Sequence, residues 1–265
     1  MPEGWSSTFI IDFTIGPDGQ VWLAQQGGFP SGNGGSSGMI KFNPSTGTFG
    51  TPFRAPVLVG NTNLRPNEVS MIVTGPDQNI WITYENINYI AKLNPSDGSL
   101  IQAYTLPSTE GVSSSGEMIV GPGNTIWFPA RYNLVAKVTP AGEITFFNLS
   151  GNAFGITNGP DGNVWMGSGP TVLKCTPDGV FSQYHLKSTN SFYGEALTGQ
   201  RLVKGGDNKL WFGYSVLGRM DTSGNAISIG LYEPIKYDDN IRDMVADSTG
   251  KVWYSRFGKI GVITP

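Results

Sequence analysis

A turn followed by a tryptophan-marked strand recurs six times and constrains the fold of this chain more than any other feature. The first copy runs from Gly16-Pro17-Asp18-Gly19 to Trp22. The six marker tryptophans are Trp22, Trp81, Trp127, Trp165, Trp211 and Trp253. Their mean spacing is about 46 residues, and a propeller blade of four strands takes roughly 40–50 residues. The sequence therefore predicts an all-β, six-bladed β-propeller of four-stranded antiparallel blades, with residues 1–265 as a single domain.

The second repeat shows how one blade is built. Residues 71–74 predict strand A, residues 80–84 strand B, residues 89–93 strand C and residues 100–106 strand D. Gly-Pro-Asp joins the first two strands, because proline fixes φ for a turn and aspartate can bond its own backbone. A large ring at one fixed position in every blade fills the wedge between neighbouring sheets. We therefore expect the marker tryptophans to lie in the core between blades.

The sequence allows two ways of completing the last blade. Residues 260–265 match the end of a strand C, so the last blade has no obvious strand D. We expect residues 3–8 to supply a short one. The alternative is a three-stranded blade whose edge is covered by a partner, because an unpaired strand edge invites pairing with another chain.

Composition excludes several classes of protein. The net charge of −3 and the pI near 5.2 argue against a nucleic-acid partner, which would require a basic surface. A single cysteine, Cys175, excludes an intrachain disulfide. No apolar run approaches the ~20 residues of a membrane span, so no membrane insertion is expected. Residues 1–5 do not resemble a signal peptide. The Gly-rich, charge-poor chain suggests a virion or an extracellular surface, with the cytoplasm as the alternative.

The repeat motif resembles a known family. The pattern Gly-Pro-Asp-Gly-x-x-Trp, followed by a strand ending in Thr-Pro-x-Gly, resembles the repeats of the streptogramin B (virginiamycin B) lyase family, and more distantly those of NHL and gluconolactonase-like propellers. The resemblance covers nearly the whole chain and implies the propeller fold. The lyases have seven blades, whereas six are counted here.

The same resemblance implies a chemistry that the residues do not reproduce. The lyases open a cyclic depsipeptide lactone by elimination, using Mg²⁺ held by acidic residues and a histidine base near a Glu-x-His motif. This sequence has no Glu-x-His, and its one histidine, His185, falls on a predicted outer strand D. A catalytic base must reach the proton that it removes. We therefore predict no catalytic residue from the family motif, and we predict that His185 is an edge residue.

The loops between strands B and C and between strands D and A vary in length, and function concentrates on such loops. Aromatic and polar side chains at these positions suit recognition of a sugar, a peptide or a protein surface. The predicted binding residues are Tyr84, Glu85, Arg131, Tyr132, Tyr193, Tyr214, Tyr237, Asp239 and Arg256.

Equivalent positions near the start of strand A carry three carboxylates, those of Asp12, Glu117 and Asp243. Converging on one axis, they could hold a Ca²⁺ or Mg²⁺ ion, since hard cations bind several oxygen ligands. The alternative is a water-filled channel with a salt-bridged lining.

The preferred functional hypothesis is a non-catalytic binding or assembly propeller, most concretely a structural or receptor-binding protein of a virus particle. Its partner would be a protein or a surface glycan or receptor, with oligomeric or particle assembly. The first alternative is a metal-dependent lyase or lactonase that uses Asp12, Glu117 and Asp243. The second is a soluble glycan-binding propeller.

Overall fold

A computed structural model gives the fold of the chain. It describes most of the sequence and omits parts of several loops and the first nine residues. The described residues are 10–25, 37–56, 58, 68–85, 87–106, 116–130, 133–186, 201–213, 217–229, 240–256 and 258–265.

The strands are numbered β1 to β24 in chain order. Blade 1 contains β1 (Ile10–Ile15), β2 (Val21–Gln25), β3 (Gly38–Asn43), β4 (Thr48–Phe49) and β5 (Phe53–Arg54). Blade 2 contains β6 (Val69–Thr74), β7 (Ile80–Tyr84), β8 (Tyr89–Leu93) and β9 (Leu100–Thr105). Blade 3 contains β10 (Ile119–Gly121), β11 (Thr125–Ala130), β12 (Leu134–Val138) and β13 (Ile144–Asn148).

The second half repeats this plan. Blade 4 contains β14 (Ile156–Asn158), β15 (Val164–Ser168), β16 (Thr171–Cys175) and β17 (Phe181–His185). Blade 5 contains β18 (Arg201–Lys204), β19 (Leu210–Gly213), β20 (Leu217–Met220) and β21 (Ala226–Ile229). Blade 6 contains β22 (Asp243–Ala246), β23 (Val252–Arg256) and β24 (Lys259–Ile263).

Each blade is an antiparallel meander in which sequential strands pair. In blade 1 the fourth strand is broken into β4 and β5, which both pair with β3. The fold is a six-bladed β-propeller, which confirms the predicted class. Within the described residues blade 6 has three strands, and residues 3–8, which we expected to complete it, lie outside them. No helix in the described part of the chain has the length and hydropathy needed to cross a membrane.

The chain divides into two compact units. The first comprises residues 1–120, 124–132 and 136–146, and the second comprises residues 121–123, 133–135 and 147–265. The single-domain assignment stays a prediction.

The cores lie between successive blades, and tryptophan is their largest component. In the first unit Trp22 packs against the aliphatic face of blade 2, which includes Ile72, Ile80 and Leu93. The marker tryptophans of blades 1 to 5 are buried. Trp253 of blade 6 is the exception, with 38 % of its surface exposed. The predicted placement of the ring between blades is therefore confirmed for Trp22, Trp81, Trp165 and Trp211, and Trp127 is buried.

An aromatic side chain of the preceding blade packs against the turn between strands C and D. Gly98 has φ of 73°, and a Cβ atom added there would lie 2.2 Å from Cε2 of Phe53 in blade 1. A Cβ atom on Gly142 would likewise collide with the ring of Tyr104, and one on Gly224 with the ring of Tyr184. Glycine is required at Gly98 both because φ is positive and because a side chain would displace the ring.

The turns between strands A and B of blades 5 and 6 are also in direct contact. The Gly206 amide donates a hydrogen bond to the Gly250 carbonyl oxygen at 3.1 Å. A Cβ atom on Gly206 would lie 2.4 Å from Cα of Gly250. At this joint the two turns therefore meet backbone to backbone.

We predict that Trp165→Ala lowers the free energy of unfolding by about 3–5 kcal/mol, because it removes a fully buried ring from the core. Trp253→Ala is the matched control and should cost clearly less, because that ring is already partly in water. Chemical denaturation of the two variants measures both values. Equal losses would contradict the difference in burial between the two rings.

Candidate functional site

Four blades share an ion pair beside the marker tryptophan, and in blades 2, 4 and 5 the indole N–H also donates to the same aspartate. In blade 4 the indole Nε1 of Trp165 donates to Asp161 Oδ1 at 2.9 Å, and Lys174 Nζ lies 2.9 Å from Asp161 Oδ2. The same ammonium lies 5.5 Å from the centroid of the Trp165 ring, within cation–π distance. Equivalent ion pairs join Lys41 to Asp18, Lys92 to Asp77 and Arg219 to Asp207. The turn aspartate therefore contacts the strand C cation that lies over the ring.

The carboxylate of this ion pair is held in its ionised form. Burial by itself raises the pKa of Asp161, but hydrogen bonds from Trp165, Lys174 and Asn163 outweigh it and lower the pKa from 3.8 to about 2. The pKa of Asp77 is lowered by the same balance, in which bonds from Trp81, Asn79 and Lys92 outweigh burial. These aspartates therefore act as fixed anions in the scaffold at neutral pH.

The cation of the ion pair also links blades. Lys41 Nζ donates to the carbonyl oxygens of Pro95 at 2.6 Å and Ser96 at 3.1 Å, both in the strand C–D turn of blade 2. Lys92 Nζ donates to the Pro140 carbonyl oxygen of blade 3 at 2.8 Å. The ion pair is thus a structural joint. Sequence analysis missed it, although a basic residue stands two positions before the Pro-containing turn in blades 1 to 4.

Polar side chains near the start of strand A also link neighbouring blades. Asp12 Oδ2 accepts the Ile72 amide of blade 2 at 2.9 Å, and its Oδ1 accepts the Phe13 amide at 2.8 Å. Arg201 Nε donates to the Arg242 carbonyl oxygen at 2.7 Å, from blade 5 to the segment that begins blade 6. The predicted metal ligand Asp12 therefore uses both carboxylate oxygens on the backbone.

The other two predicted metal ligands are also described. Asp243 Oδ1 accepts the neighbouring Met244 amide at 2.8 Å, and Glu117 precedes β10. Across the described ranges, no three His, Cys, Asp or Glu side chains are grouped closely enough to hold a metal ion. A Ca²⁺ or Mg²⁺ site at these residues stays a prediction.

Two of the predicted binding residues have buried side chains. Tyr84 is fully buried, its hydroxyl donates to the Pro56 carbonyl oxygen at 2.9 Å, and burial raises its pKa well above the usual value. Arg256 is also buried. Both stand at the end of a strand B, where the strand remains within the sheet. A binding role for these two residues stays a prediction.

Of the remaining predicted binding residues, Glu85 is half-buried, and its amide donates to the Glu68 carbonyl oxygen at 2.8 Å. The others fall on loops outside the described residues, so their proposed role stays a prediction. They are Arg131, Tyr132, Tyr193, Tyr214, Tyr237 and Asp239.

The single histidine lies on an outer strand. His185 ends β17, the fourth strand of blade 4, where its backbone pairs with Thr171 and its side chain is exposed. The sequence-based placement of His185 at a blade edge is confirmed. A base at this position is several strands away from strand A of its own blade.

Comparison with known proteins identifies the family. Residues 63–265, more than three quarters of the chain, match the model of the virginiamycin B lyase family. The chain belongs to this family. No curated protein matches the sequence.

Solved structures with the same fold include members of this family. Virginiamycin B lyase from Staphylococcus aureus matches with a TM-score of 0.72 and 22 % identity, over 96 % of this chain and 80 % of the lyase chain. A catalytically inactive variant of that enzyme, with a histidine replaced by alanine and quinupristin bound, matches with a TM-score of 0.71 and 21 % identity, over the same shares of the two chains. Hydrazine synthase from Kuenenia stuttgartiensis matches with a TM-score of 0.68 and 12 % identity, over 99 % of this chain and 79 % of that chain.

We predict that Asp161→Asn lowers stability at about pH 7 and has little effect at about pH 2. The pKa of Asp161 in the folded protein lies below its unfolded value, so its stabilising effect is complete above about pH 4 and is lost as the pH falls through about 2. Denaturant titrations at both pH values test this, with the exposed Asp178→Asn as control. A loss that does not change with pH would show that the ionised carboxylate is not the stabilising species.

We predict that Asp12→Ala costs about 1–3 kcal/mol of folding free energy, because it leaves the Ile72 amide without the acceptor that joins blades 1 and 2. Asp243→Ala should cost less, since the Asp243 carboxylate accepts the adjacent Met244 amide. Urea denaturation of both variants provides the comparison. The joint assigned to Asp12 is wrong if the two substitutions cost the same.

Proposed function

We propose that this chain is a non-catalytic member of the virginiamycin B lyase family that acts as a binding or assembly propeller. Its partner, a protein or a surface glycan, would be engaged by the variable loops between strands B and C and between strands D and A. Loops on a rigid β-scaffold commonly carry recognition. The low charged fraction of 14 % favours assembly, most concretely in a virus particle.

The observation that carries the proposal is the position of His185. It is the one histidine in the sequence, and its exposed side chain is on the outermost strand of blade 4. In the Staphylococcus aureus lyase, a variant with one histidine replaced by alanine is catalytically inactive. If elimination in this chain also required a histidine, His185 would have to supply it from the outer edge of a blade. A proton-abstracting base must lie within about 3 Å of its target, and an outer edge offers no enclosed position for one.

A second candidate is a metal-dependent lyase or lactonase, and membership of the family favours it. Such an enzyme would use the carboxylates of Asp12, Glu117 and Asp243 for a divalent ion and would take its base from another residue type. The two hypotheses differ in turnover and in metal content, which can be measured on the same preparation.

The purified chain is expected to show no opening of a streptogramin B lactone above the buffer blank in the presence of Mg²⁺. Loss of the intact lactone is followed by liquid chromatography, with the Staphylococcus aureus lyase as the positive control. His185→Ala should behave as the parent chain. Turnover that disappears in His185→Ala would overturn the proposal, because the outer-edge histidine would then be catalytic.

Elemental mass spectrometry of the purified native chain gives an independent readout. Under the proposal, the metal content is the same in the parent and in the triple variant Asp12→Ala, Glu117→Ala, Asp243→Ala. One equivalent of Ca²⁺ or Mg²⁺ that is lost in the triple variant, together with lactone turnover by the parent, would favour the enzyme.

A further inference from the structure

We draw no further inference here: the strongest candidate, the three lysine side chains of Lys204, Lys209 and Lys251 beside the turns between strands A and B of blades 5 and 6, rests on surface charge alone, and nothing in the described residues shows which ligand or partner they would bind.

Discussion

The packing of an indole ring between neighbouring blades is the interaction on which the rest of this scaffold depends. In blade 4 the N–H of Trp165 is bonded to Asp161, and Lys174 satisfies the second carboxylate oxygen while lying over the ring. A buried indole needs a partner for its N–H, and a partly buried carboxylate needs a counter-charge. One arrangement meets both requirements. It also leaves the cation able to reach the next blade, as the Lys92 bond to the Pro140 carbonyl shows.

The fold could be predicted because the features that specify it are local and repeated. A glycine-containing turn followed at a fixed spacing by a tryptophan identifies each blade, and Trp81 and Trp165 lie in the core as expected. The burial of Tyr84 and Arg256 could not be predicted, because the end of a strand in the sequence does not show whether the sheet continues to cover it. The ionic joint was missed because its members, such as Lys41 and Asp18, are 23 residues apart and meet through strand pairing.

Family membership and function depend on different side chains. Membership rests on a repeat pattern that maintains turns and cores, and such a pattern does not by itself determine an activity. A catalytic assignment instead needs particular groups within bonding distance of a substrate. Here the polar groups near the start of strand A, such as Asp12 and Arg201, bond to the backbone of a neighbouring blade. The side chains at these two positions are therefore engaged in structural hydrogen bonds.

The backbone contact between Gly206 and Gly250 bears on which changes of sequence blades 5 and 6 can accept. Both glycines stand in turns between strands A and B, whereas Gly142, which meets the ring of Tyr104, stands in a turn between strands C and D. A side chain such as Tyr104 can rotate away from a new neighbour, but a peptide backbone can make room only if its whole turn moves. A substitution at Gly206 or at Gly250 would therefore displace the turns of two blades at once.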